Sequence, residues 1–182
     1  MKELIFVTGN AAKAQQLSRH LDYPVSHIDL DLVEIQSLDV KEIAIHKVKE
    51  AYSRVIRPVL VEDTSLVFIA MGKLPGPLIK WFYEEMGNEG LCKLLNSYQD
   101  RNAYIEVNFV YYDGIHLQIF DAVAEGYIAA KPKGSGGFGW DPIFINKGYS
   151  ITRAEMSVSL YDQTSPRSFA VSQLHTYITH RY

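Results

Sequence analysis

The chain has 182 residues, with 21 acidic and 18 basic side chains and a formal net charge of −3. That length suits one domain, and contents of 47% hydrophobic and 21% charged residues are ordinary for a fold with a real core. The charge balance excludes a strongly basic surface for nucleic acid, and the composition excludes extensive disorder. The longest apolar runs, such as residues 66–71, fall far short of the ~18 residues that a membrane helix needs. Glu3 stands where the apolar core of a signal peptide would begin. The single cysteine, Cys92, allows no internal disulfide and no thiolate metal cluster. Both features fit a reducing, cytoplasmic setting.

Residues 4–7 form a short apolar run broken by the turn signal Thr8-Gly9-Asn10. A helix is expected from Ala11 to about Leu21, with Ala14, Leu17 and Leu21 on one stripe. Residues 25–32 alternate and read as a second strand. Asp39-Val40-Lys41-Glu42 is a capping pattern that starts a helix running to about Val55, with Ile43, Val48 and Ala51 inward. Residues 58–61 read as a buried strand that ends in Glu62-Asp63-Thr64, and residues 66–70 as a short apolar continuation. Leu74-Pro75-Gly76-Pro77 is a loop, and short helices are expected over 79–86 and 89–95. Two runs, 103–112 and 117–127, flank Asp113-Gly114, a hairpin signal. Residues 131–139 read as a loop. Ser165-Pro166 supplies an N-cap and a first-turn proline for a last helix carrying Phe169, Leu174 and Ile178. Together these predict an α/β fold with a mixed twisted sheet flanked by helices. One domain would span residues 1–182, with two lobes around a central cleft as the default ligand site.

Gly134-Ser135-Gly136-Gly137-Phe138-Gly139 matches the dinucleotide pattern G-x-G-x-x-G, but Trp140-Asp141-Pro142 follows it like a turn into a strand. The motif should instead open a helix after a strand, so a surface loop is the better reading. There is no P-loop, HExxH or CxxC pattern, and the six histidines lack metal-ligand spacing. In Thr8-Gly9-Asn10-Ala11-Ala12-Lys13, a loop opening a helix presents free N–H groups that attract phosphate, and Lys13 adds a cation. An ordinary strand–turn–helix connection would look similar. Glu34 follows the second expected strand, and Glu62 and Asp63 are expected to end a third. Carboxylates at strand ends suit Mg²⁺, which takes oxygen ligands and bridges to phosphates, although solvated turn residues would read the same way. In Lys80-Trp81-Phe82 and Phe138-Gly139-Trp140-Asp141, an exposed ring could stack on a base and the aspartate could accept from base N–H groups. Plain packing is the alternative there.

In this order the pieces resemble one family, the inosine triphosphate pyrophosphatases or Ham1-like nucleoside triphosphate pyrophosphohydrolases, most closely its eukaryotic-type members. The resemblance rests on Phe6-Val7-Thr8-Gly9-Asn10 with Lys13, Val33-Glu34-Ile35-Gln36, Ile45-His46-Lys47 and Val59-Leu60-Val61-Glu62-Asp63-Thr64. It continues through Leu74-Pro75-Gly76-Pro77-Leu78-Ile79-Lys80-Trp81-Phe82, Gly137-Phe138-Gly139-Trp140-Asp141-Pro142-Ile143-Phe144 and Ala154-Glu155-Met156.

The resemblance implies a two-lobed mixed sheet, usually a homodimer. It also implies an Mg²⁺-dependent cut between the α and β phosphates of ITP, dITP or XTP, giving monophosphate and pyrophosphate. Carried over, Thr8, Gly9, Asn10 and Lys13 would hold phosphates. Glu34 and Asp63 would bind Mg²⁺, and Asp63 would orient the attacking water; with Lys13 these two make the catalytic set. Lys47 and Lys80 would contact the triphosphate or its neighbours, with Thr64 beside Asp63 on the substrate side. Phe138 would stack on the base, and Gly139, Trp140, Asp141, Ser165 and Arg167 would complete its pocket.

One stretch departs from the pattern. Tyr161 stands where the family has lysine, and Pro166 where it has histidine, two residues that help to read the 6-oxo group. The resemblance therefore leaves open a relative with relaxed base selectivity, or a nucleotide binder with little catalysis.

Overall fold

The computed structural model describes residues 3–9 and 11–181 of the chain. Strand β1 (Leu4–Val7) is buried throughout, and helix α1 (Ala11–Leu21) packs Ala14, Leu17 and Leu21 inward, the stripe that its spacing predicts. Strand β2 (Val25–Ile28) runs parallel to β1, with Leu4 opposite Val25. It is shorter than the alternation suggests, and residues 29–38 form an irregular segment. Helix α2 (Val40–Val55) starts where the capping pattern puts it. Asp39 Oδ1 accepts from the N–H groups of Lys41 at 2.9 Å and Glu42 at 3.3 Å.

Strand β3 (Val59–Phe68) corrects the expectation that Glu62 and Asp63 end a strand, because ten residues run through that polar trio without a break. The far half is held by the short strand β4 (Pro75–Gly76), which pairs Leu66 with Gly76 and Val67 with Pro75. Gly76 is irreplaceable in this turn: its φ is +59°, and a Cβ would lie 2.4 Å from the Lys73 carbonyl oxygen. Helix α3 (Ile79–Leu94) breaks at Gly87 (φ 62°, ψ −175°), which reproduces the two expected helices.

Strands β5 (Asn102–Tyr112) and β6 (Leu117–Ile128) flank a turn in which Asp113 Oδ1 accepts from Ile115 N–H at 3.0 Å and His116 N–H at 2.7 Å. Strand β7 (Phe144–Asn146) is antiparallel to β6. The short helix α4 (Val158–Gln163) has no counterpart in the sequence reading, and α5 (Pro166–Arg181) begins at the expected proline. On α5, Leu174 and Ile178 are buried with Ala170 and Val171, whereas Phe169 lies off that stripe and is 54% exposed.

Among the described residues, the sheet has the order β2-β1-β3-β5-β6-β7, with β4 on β3. It is a mixed α/β sheet flanked by helices, as the composition of elements predicts. The chain forms two compact units. The first is built from residues up to Asp63, Val107–Ala122 and the helix from Phe169 onward. Its core sets Ile5, Val7, Val59 and Val61 against Ala44, Val48 and Ala51 of α2. The second is built from Thr64–Glu106 and Val123–Ser168. It buries Leu66, Phe68, Leu91, Ile105 and Phe144. The chain crosses between units within β3, β5, β6 and α5.

Candidate active site

In the first unit, the strand period decides where the carboxylates go. Val59 and Val61 pack in the α2 core, so Asp63, on the same face of β3, points toward α2, while Glu62 points to the other face. Asp63 Oδ1 accepts from Lys47 Nζ at 2.8 Å, and the same ammonium donates to Glu34 Oε1 at 2.7 Å. Glu62 instead pairs with Lys13 at 3.7 Å. The two neighbouring acids therefore belong to different sites.

Glu34 reaches Lys47 because α2 tethers the irregular segment that carries it. Lys47, Glu50 and Arg54 share one helical stripe by their spacing. Glu50 Oε2 accepts from Val33 N–H at 2.9 Å, and Arg54 Nη1 donates to the Asp31 carbonyl at 2.8 Å. Arg54 and Glu50 also pair with each other.

Burial pushes the Asp63 carboxyl above the usual range, and Lys47 pulls the other way without cancelling it. Burial works to lower the Lys47 ammonium, but the carboxylates of Asp63 and Glu34 outweigh it and hold the ammonium above its ordinary value. Asp63 Oδ2 is buried and makes no hydrogen bond among the described residues. An unengaged oxygen on a buried carboxylate is the kind of atom that a cation satisfies. The donor set of Asp63 and Glu34 fits a hard divalent ion that draws its remaining oxygens from phosphate and water. No cluster of three or more histidine, cysteine or acidic side chains suited to a metal occurs among the described residues.

Of the expected phosphate loop, Thr8 continues from β1 and its N–H donates to the Ile28 carbonyl at 3.0 Å. Gly9 is exposed, and a Cβ there would come within 3.1 Å of the Asp29 carboxylate. Asn10 lies outside the described residues.

In the second unit, the glycine-rich segment between β6 and β7 is a loop that opens no helix, so the rejected dinucleotide reading stays rejected. Gly134, Gly137 and Gly139 all take positive φ. Phe138 at its tip is 63% exposed and meets Trp140 edge-on at 6.4 Å. Asn88 Nδ2 holds the Gly139 carbonyl at 3.0 Å, and Gly136 N–H donates to the Ala154 carbonyl at 3.1 Å.

Asp141 turns inward. It is 4% exposed, and its oxygens accept from Arg153 Nε at 2.9 Å, Phe138 N–H at 2.6 Å and the Tyr161 hydroxyl at 3.0 Å. A buried arginine makes an inward carboxylate cheaper than an outward one. Ser165 is buried at the start of α5, and its Oγ lies 3.5 Å from Ser168 N. Arg167 and Thr64 are half-buried, and Lys80 is exposed with its Nζ 5.2 Å from the Trp81 ring centre.

The residues that sequence reasoning missed are Arg153 and Asn88. Arg153 is buried, and its Nη1 donates to Asn146 Oδ1 at 3.2 Å while its guanidinium lies 4.1 Å from the Tyr161 ring centre. A single arginine in a turn has no periodicity or motif to mark it.

The first unit thus carries two carboxylates bridged by a lysine, and the second an exposed ring on a tethered loop, both in an α/β protein. The chain belongs to the Ham1 family, whose model matches residues 4–177. It is 41% identical over 176 residues to inosine triphosphate pyrophosphatase 2 of Trypanosoma cruzi (strain CL Brener), covering 94% of this chain and 90% of that protein. It is 39% identical over 176 residues to inosine triphosphate pyrophosphatase of Batrachochytrium dendrobatidis, covering 94% of this chain and 92% of that one. The Ham1 protein of Staphylococcus aureus superposes with a TM-score of 0.89 at 26% identity over the whole of both chains.

Proposed function

We propose that the protein is a nucleoside triphosphate pyrophosphatase. It would hydrolyse inosine-type triphosphates (ITP, dITP and XTP) to the monophosphate and pyrophosphate and so cleanse the nucleotide pool. The observation that carries this reading is the Asp63 carboxylate, with one oxygen on Lys47 and the other buried with no hydrogen bond among the described residues. The names of the relatives supply the substrate class.

Asp63 and Glu34 would hold Mg²⁺, which when bound neutralises charge on the phosphate oxygens. Asp63 would orient the attacking water. Lys47 keeps the two carboxylates together and, with Lys13, offers positive charge to the triphosphate. Thr8, Gly9 and Asn10 would hold phosphate oxygens, with the N–H groups of Gly9 and Asn10 as donors because the Thr8 N–H is taken by the Ile28 carbonyl. Catalysis of this kind depends on positioning and charge compensation more than on a strong nucleophile. On the base side, Phe138 stacks, Trp140 and Gly139 flank it, and Lys80, Thr64, Ser165 and Arg167 line the remaining substrate contacts. The protein would act as a homodimer in the cytoplasm. No helix among the described residues is long and apolar enough to cross a membrane.

A second reading, an active enzyme with relaxed base selectivity, is favoured by one observation. The Tyr161 hydroxyl is spent on Asp141, so it adds no charged donor toward a purine edge. Single-turnover digestion of ITP with Mg²⁺, resolved by chromatography, tests the main reading. IMP and pyrophosphate are expected, whereas IDP with phosphate, or intact ITP, would overturn it. A panel of ITP, ATP and GTP separates the two readings.

A further inference from the structure

An exposed ring gains little from packing, so the backbone beneath it sets its aim. For Phe138 that backbone is tied by its own N–H to Asp141 Oδ2 at 2.6 Å. Asp141 is held in turn from two directions. Arg153 Nε grips Oδ1 at 2.9 Å, and the Tyr161 hydroxyl, arriving from α4, donates to Oδ2 at 3.0 Å. Three donors nearly fill a carboxylate of about four acceptor sites, and Asp141 is buried, so this acid has little left for a ligand. Gly137 leaves the space that the arrangement needs. Its φ is +74°, and a Cβ would sit 2.4 Å from Asp141 Oδ2.

We propose that Tyr161 and Arg153 are positioning residues for Phe138, acting through Asp141, and thereby set how tightly this chain holds a purine ring. The proposal rests on reading Phe138 as the stacking residue. The two residues divide the work. Arg153 is locked into its place by Asn146, by the Thr164 carbonyl at 3.4 Å and by the Tyr161 ring, so it serves as the fixed charge partner. Tyr161 supplies a neutral donor that can be removed alone, because phenylalanine at that position keeps the ring beside the guanidinium. Base affinity is then governed by the order of the Phe138 loop, without direct contact between Tyr161 and the base.

The test compares wild type with Tyr161→Phe, Phe138→Ala and the double variant, using the full chain. The first readout is hydrogen exchange at the Phe138 amide, which needs no substrate. Loss of the hydroxyl should speed that exchange by about three- to tenfold, the scale of one hydrogen bond. The second is steady-state ITP hydrolysis. Tyr161→Phe should raise KM by about three- to tenfold, with a smaller change in kcat, and that rise should vanish in the Phe138→Ala background. Gly137→Ala, whose Cβ would press on Asp141 Oδ2, should reproduce both changes. Unaltered amide exchange in Tyr161→Phe overturns the proposal, as does a KM rise that persists without Phe138. If no triphosphate is hydrolysed at all, the proposed activity fails, while the exchange measurement still decides whether Tyr161 orders the loop.

Discussion

Glu62 and Asp63 are adjacent in β3 and serve opposite faces of the sheet, one paired with Lys13 and the other with Lys47. Two acids that read alike in sequence, as carboxylates at a strand end, belong to two separate ion pairs in space. The relationship ranks them: of the two, Asp63 has a buried oxygen with no hydrogen bond among the described residues.

The ranking predicts different outcomes for two isosteric changes. Asp63→Asn should lower kcat by about 100-fold or more, since it removes charge from a metal-binding position. Glu62→Gln should stay within about tenfold of wild type. Both proteins should fold, because each amide keeps the shape of the acid. Steady-state kinetics with circular dichroism of both variants checks this, and equal losses at the two positions would contradict the assignment.

Magnesium should stabilise the folded chain without any substrate present. At about a hundred times its dissociation constant, a ligand adds about 2.7 kcal/mol, or roughly 5–10 °C in Tm for a chain of this size. In Asp63→Asn the shift should fall below about 2 °C. Thermal melts in a Mg²⁺ series measure it, and an undiminished shift in the variant would place the ion elsewhere.

A third expectation concerns selectivity. Tyr161→Lys with Pro166→His should raise the ratio of kcat/KM for ITP over ATP by about tenfold or more, the worth of one or two charged hydrogen bonds. The structure adds a condition. A lysine at 161 would sit beside the Arg153 guanidinium, which now lies against the Tyr161 ring, so like charges would meet. Competition assays with the two nucleotides decide it, and an unmoved ratio would leave Arg167 as the next position to change.

Burial first, and the nearby Asp141 charge second, hold the Tyr161 phenol above its ordinary value. An acid kept protonated by the fold contributes stability that is complete below its unfolded pKa, about 10 for tyrosine, and fades as pH rises through the folded value. Tyr161→Phe lacks this contribution at every pH. The Tm advantage of wild type over the variant should therefore be constant near neutrality and shrink above about pH 10. Melting curves in parallel buffers follow it, and an advantage that grows with pH would refute it.

Much of the fold was legible because it is local. Asp39 caps α2 with its own side chain, Gly87 breaks α3 through its own φ, and Pro166 opens α5 without needing a distant partner. What escaped was set by remote charge. Glu62-Asp63-Thr64 resembles a turn until Lys13 and Lys47 arrive from two helices to neutralise it, and only then can a strand run straight through. The base-side loop shows the same limit. Phe138, Trp140 and Asp141 are adjacent and were singled out together, but the inward turn of Asp141 depends on Arg153, which carries no signature. Helix α4 is too short and too exposed, with Val158 81% exposed, to print an apolar stripe.

The two carboxylates assigned to the cation differ in what movement would break. Asp63 is part of a ten-residue strand, and displacing it means pulling apart the ladder on which the sheet depends. Glu34 rides on an irregular segment moored to α2 by Glu50 and Arg54, and its side chain is 54% exposed. One oxygen donor is thus an anchor and the other a hand that can let go. A cation held by both, as proposed, would keep one fixed ligand and one that can move while the sheet stays whole.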